Sequence, residues 1–110
     1  MVSADVIERL KYEVDNLQVL NKKRIDDGDI QFNFISIDFF IVGFATQLIE
    51  GKTIHPNSFE KQRISTPFII KEKWYGYEMS GFDLASYPTL KKYAICLEEI
   101  RLLVLKAMNG

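Results

Sequence analysis

A chain of 110 residues can build one core but not two, since two would each be too small to hold together. With 47% hydrophobic and 26% charged residues, its composition is that of a globular domain and excludes a disordered chain. A net charge of −1 lacks both the basic excess of a nucleic-acid binder and the acidic excess of a DNA mimic.

The opening MVSADVIERL has no basic-then-apolar leader pattern. Cys96 is the sole cysteine, so no internal disulfide can form. Both features fit a reducing cytoplasm. The spacing that follows predicts a helix over residues 3–25. Ser3 is the N-cap and Asp5 sits in the first turn, where the helix dipole favours an acid. Ile7, Leu10, Val14 and Leu17 make an apolar stripe at 3–4 spacing, and Asp5 and Arg9 form an i,i+4 pair. Lys22, Lys23 and Arg24 occupy the last turn, and Asp26-Asp27-Gly28 ends the element.

Residues 29–35 alternate apolar and polar, with Ile30, Phe32 and Phe34 on one side, and read as a half-buried strand. From Ser36 the alternation gives way to helical spacing through Phe40, Ile41, Phe44 and Leu48, so a helix is predicted over 36–50 with Gly51 as its stop. Asp38 is the one acid in FNFISIDFFIVGF. With Ser36 as N-cap it lies near free backbone N–H groups at the positive end of the dipole. If the segment were a strand, Asp38 would share a face with Phe32 and Phe34 and would need a partner or a proton. The apolar run from Phe34 to Ile49 is 16 residues long, short of the ~20 that a membrane span needs, so no membrane contact is expected.

Residues 52–86 are the hardest third. Pro56-Asn57-Ser58 reads as a turn, and FIIKEKWYGYEM (68–79), with Phe68, Ile70 and Trp74 on one period-2 face, as one or two short strands pairing with the 29–35 strand. The last element is a helix over 87–108. Pro88 sits in its first turn, and Leu90, Tyr93, Leu97, Ile100, Val104 and Ala107 form its stripe. The fold reading is therefore α+β and predominantly helical: one domain over 1–110, with three helices (3–25, 36–50, 87–108) and a small antiparallel sheet. An all-α bundle is the alternative, because 29–35 and 62–79 admit both.

No phosphate loop, paired-cysteine zinc pattern or glycine-rich strand-to-helix loop is present in the sequence. No metal or cofactor is implied. His55 is the single histidine and reads as a loop residue, and Cys96, among apolar neighbours, as a small buried hydrophobe. The segment Lys71-Glu72-Lys73-Trp74-Tyr75-Gly76-Tyr77 stands out, because Trp and Tyr dominate binding hot spots. The leading expectation is a non-enzymatic interaction module that binds another protein, in the manner of a small bacterial or phage inhibitor, antitoxin or immunity protein. Trp74, Tyr75 and Tyr77 would be its contacts, with Lys71 and Lys73 at the rim. One alternative is an enzyme or small-ligand binder with a pocket near Asp38 and His55. Another is a single-strand nucleic-acid binder that stacks bases on the aromatics of 71–77, which the charge balance disfavours. The last helix is apolar on several sides and could also pair across a two-fold axis in a homodimer.

Overall fold

The computed structural model describes residues 3–27, 35–75 and 80–109, leaving aside the side chains of 35–39 and 80–82. The described part is mostly helical, with four helices and a small antiparallel sheet. In order these are α1 (Ala4–Asp26), α2 (Ile35–Ile49), α3 (Ser58–Ser65), β1 (Ile69–Ile70), β2 (Lys73–Tyr75), β3 (Ser80–Asp83) and α4 (Pro88–Asn109).

The predicted start of α1 is where the structure puts it. The Ser3 side chain accepts from the Val6 N–H, and Asp27 closes the other end with its N–H donating to the Lys23 carbonyl, 2.9 Å away. The buried stripe is Val6, Leu10, Glu13 and Leu17, while Ile7 and Val14 are only half-buried. The core-facing side keeps Leu10 and Leu17 of the stripe and Val6 beside it, and takes in a carboxylate that the spacing does not foresee. Arg9 pairs with this Glu13 at 3.3 Å and with Glu99 at 3.6 Å, in place of the expected Asp5.

Helix α2 opens at Ile35, so Ser36 falls inside the first turn instead of capping it, and residue 35 leaves the predicted strand. The remainder of that strand, 29–34, lies outside the described residues. Asp38 is in the first helical turn, as the dipole argument asks; its side chain is outside the description. At the far end, Gly51 has φ +80°, its N–H donates to the Leu48 carbonyl at 3.0 Å, and the Lys52 N–H reaches Gln47 at 2.9 Å. That pair of bonds is a Schellman stop, which a glycine adopts without Cβ strain.

Helix α3 is the element the sequence reading missed. The turn expected at Pro56-Asn57-Ser58 is a helix start. Asn57 accepts from the Glu60 N–H at 2.9 Å and Glu60 accepts from the Asn57 N–H at 3.0 Å, a full capping box. The strands β1, β2 and β3 pair with one another in the order β1-β2-β3; the strand expected to pair with them falls on 29–34, outside the described residues.

Helices α1 and α4 run antiparallel. Thr89 at the start of α4 donates to Asp27 at the end of α1 (2.6 Å), while Arg9 near the start of α1 meets Glu99 further along α4. The buried residues form one cluster, built from α4 (Leu90, Leu97, Ile100, Val104) against α1, α2 and the sheet. Arg101 is buried within it at 3% exposure. Its Nε donates to Glu98 at 2.7 Å, its Nη2 also bonds Glu98, and its Nη1 donates to the Ile64 carbonyl at 2.7 Å. That carbonyl is in the last turn of α3, where backbone acceptors lack helical partners and the dipole favours a cation.

Candidate interaction surface

The segment 69–75 is a two-residue hairpin. Ile70 faces Lys73 and Ile69 faces Trp74, with Lys71 and Glu72 at the tip. Both tip residues have positive φ, 50° and 64°. That matches a type I′ turn, whose hand fits the strand twist and which is usually built from Asn and Gly. A side chain with a Cβ is strained there by roughly 1 kcal/mol per residue. Two contacts hold the turn in place. The Glu72 carbonyl accepts from the Leu84 N–H at 2.9 Å, and its carboxylate pairs with Lys91 of α4.

Side chains alternate across this ribbon. Trp74 faces inward, is fully buried, and packs on Phe68 with ring centroids 4.9 Å apart. Its expected role as a surface contact is therefore corrected to a core role, since the period of two that exposes Lys73 and Tyr75 must bury the residue between them. Tyr75 is 40% exposed and Ile70 49% exposed, and Lys71 and Lys73 are exposed beside them. The Tyr75 N–H donates to the Phe68 carbonyl at 2.7 Å, which fixes the strand that carries its ring. After Trp74 the pairing with β3 shifts register, from Trp74 opposite Phe82 to Tyr75 opposite Ser80. Tyr77, the remaining predicted contact, lies outside the described residues. The outward face thus joins Ile70, Lys73 and Tyr75. The period of two sets Ile70 on the face of Phe68 and Trp74, but the turn at Lys71-Glu72 puts it opposite Lys73 and so on the outer face.

His55 is exposed in the loop after α2. Near it lies a groove of about 440 Å³ lined by Ile7, Leu48, Gly51, Thr53, Ile54, Ala107 and Met108. Most of the lining side chains are apolar, the exposed lining surface is divided about evenly between polar and apolar atoms, and His55 is not part of it. Among the described residues, no group of three or more His, Cys, Asp or Glu could hold a metal ion. Among them, too, no helix is long and apolar enough to cross a membrane.

Cys96 is buried between α1 and α4. Its thiol donates to the Glu13 backbone carbonyl at 3.3 Å and lies 3.4 Å from the Glu13 carboxylate, and Asn16 donates to its sulfur at 3.8 Å. Burial, reinforced by the hydrogen bond and charge of Glu13, pushes the thiol up to about 12. A thiol so placed is kept protonated and is a poor nucleophile. Its hydrogen-bonding neighbours are Glu13 and Asn16, both on α1.

Comparison with protein-family models, curated proteins and solved structures finds no match to this chain.

Proposed function

We propose that the protein is a non-enzymatic interaction module that acts by occupying a partner protein, in the mode of a small inhibitor, antitoxin or immunity protein. The contact surface is the outer face of the hairpin, with Ile70 and Tyr75 as apolar anchors and Lys71 and Lys73 at the rim. One observation carries the reading: two residues with side chains hold a strained positive-φ turn that glycine would relax. Strain of this kind persists where the exposed geometry matters and the surroundings over-determine it. Here Lys91 and Leu84 do so. Aromatic anchors rimmed by charge are the usual composition of a binding hot spot.

The test is affinity capture of tagged protein from host lysate, with Tyr75→Ala and Lys73→Glu in parallel. Both positions are exposed, so both variants should keep the wild-type melting temperature. The expected result is one stoichiometric protein captured by wild type and depleted at least tenfold by either variant. Capture unchanged by both variants would remove this face as the site.

A second reading draws on the 440 Å³ groove, whose size suits a small ligand and whose lining of uncharged residues, with apolar and polar surface about equal, suits an uncharged one. Acyl chains and aromatic compounds that bind it would raise the melting temperature. A screen of such compounds without any shift would dismiss it. Stacking on single-stranded bases loses Trp74 to the core, which leaves it the weakest of the three.

A further inference from the structure

The outer surface of the α1–α4 pair carries four exposed apolar side chains: Tyr12 (65%), Val19 (67%), Ile95 (51%) and Leu102 (48%). They fall into two pairs, each seven residues apart and so on one face of its helix. On α1, Tyr12 and Val19 follow at i+3 two of the residues that reach α4, Arg9 and Asn16. On α4, Leu102 follows Glu99 by three residues and Ile95 precedes it by four, and Glu99 is one of the residues that reach back to α1. The four side chains therefore flank the Arg9–Glu99 seam on its solvent side.

The outward stripe of α4 reads Pro88, Lys92, Ile95, Glu99, Leu102, at alternating spacings of four and three. Laid antiparallel on a second copy of itself, this stripe is self-complementary. Ile95 meets Ile95, Lys92 meets Glu99, and Pro88 meets Leu102, each of the last two contacts made twice. Glu99 keeps 40% of its side chain exposed despite the contact with Arg9. We infer that the protein forms a two-fold homodimer through this face, with the axis at Ile95 and α4 packed antiparallel on α4. A two-fold contact must present one patch to itself, so it needs both charge signs on that patch in mirrored places. The α4 stripe meets that demand, and a foreign partner would not require it. With the axis at Ile95, residues 88–102 of α4 overlap over roughly 22 Å, and with α1 alongside the face offers on the order of 500 Å² per protomer, or about 1,000 Å² shared, the lower bound for a specific interface.

The test is sedimentation equilibrium of the full chain from about 1 to 500 μM, with wild type, Ile95→Lys, Lys92→Glu and the exchange Lys92→Glu/Glu99→Lys. Wild type should reach twice the 12.8 kDa chain mass. Ile95→Lys should be monomeric throughout, with an unchanged circular dichroism spectrum because the site is exposed. Lys92→Glu places like charges together twice and should weaken the dimer about tenfold or more; the exchange should bring it back to within about threefold of wild type. A wild type that stays monomeric overturns the inference, as does a dimer that survives Ile95→Lys. A dimer that Lys92→Glu leaves as tight as wild type overturns the antiparallel pairing at Ile95.

Discussion

The α1–α4 pair and the β1–β2 hairpin solve the same problem in opposite ways. Each must place charged residues beside a greasy core. The helix pair takes polar groups inside and pairs most of them: Glu13 with Arg9 and the Cys96 thiol, Arg101 with Glu98 and the Ile64 carbonyl, while the second Glu98 carboxylate oxygen is buried without a hydrogen bond. The hairpin keeps its charges outside and carries the cost in its backbone, at Lys71 and Glu72. Polar groups inside a helix interface fix how the elements sit against each other, because any shift leaves a donor or acceptor unpaired. Strain in a turn fixes instead which side chains face the solvent. The first device serves the fold, and the second suits a surface that must be presented to something else.

The sharpest way to break that contrast is at the one place where the hairpin enters the core. Trp74→Ala removes a fully buried indole packed on Phe68 and should cost about 3–5 kcal/mol. That is a large share of the ~5–15 kcal/mol of a small domain. Urea unfolding measures it. A loss below about 1 kcal/mol would mean that the hairpin packs too loosely to be rigid. The next largest effect is in the helix pair. Arg101→Met keeps the apolar volume but strands the Glu98 carboxylate and the Ile64 carbonyl, for a loss of about 2–4 kcal/mol. Adding Glu98→Leu should recover a good part of it, since an ion pair replaced whole by apolar groups costs little. A double variant no better than the single would show that the bond to Ile64 carries the effect.

The helix pair was the legible part of the chain because a 3–4 spacing over more than twenty residues is a strong signal. Leu90, Tyr93, Leu97, Ile100 and Val104 were read as one stripe and are all buried. What the pattern hid was Glu13 and Arg101. A charged residue at a core position reads as solvent-facing until its partner is known, and here a main partner of each comes from another element, Cys96 for Glu13 and Ile64 for Arg101. Helix α3 was missed for another reason. It spans only eight residues, too few to show a period, although Asn57 and Glu60 spell out its capping box. The hairpin was readable as strands but not as to which residues face inward. Period two divides Trp74 from Lys73 and Tyr75 without saying which side is the core, and the aromatic weight of Trp74 and Tyr75 pulled both toward the surface reading. No sequence rule marks Lys71-Glu72 as a positive-φ turn, since those residues are among the poorer choices for it.

Alkaline titration probes the helix pair more gently. The Cys96 thiol is held up to about 12 in the folded chain and returns to about 8.5–9 on unfolding. Between those values the native state holds a proton that the unfolded state has released. This contribution is complete below about pH 8.5 and is lost as pH rises toward 12, by up to ~1.4 kcal/mol per pH unit. Cys96→Ala removes that slope, so the difference in stability between wild type and variant should shrink from pH 9 to pH 11. A constant difference would mean that the thiol is not enclosed by Glu13 as the geometry has it. A thiol-specific reagent at pH 8 should likewise label native protein only at the rate of opening.

The smallest effect is the one that decides between the two devices. Lys71→Gly removes a Cβ from a φ of 50° and leaves Glu72, with its ties to Lys91 and Leu84, in place. If the strain is real, the variant should be more stable than wild type by about 0.5–1 kcal/mol, since relief of the left-handed conformation outweighs the entropy that glycine adds to the unfolded chain. Paired urea titrations resolve a change of that size through the shift in midpoint. The same variant loses one rim charge, so its capture of a partner in the lysate experiment should fall while its stability rises. Those opposite signs are what a strained presentation surface predicts and what a merely structural turn does not. A variant that is both less stable and equally good at capture would return the hairpin to the role of a simple cover over Trp74.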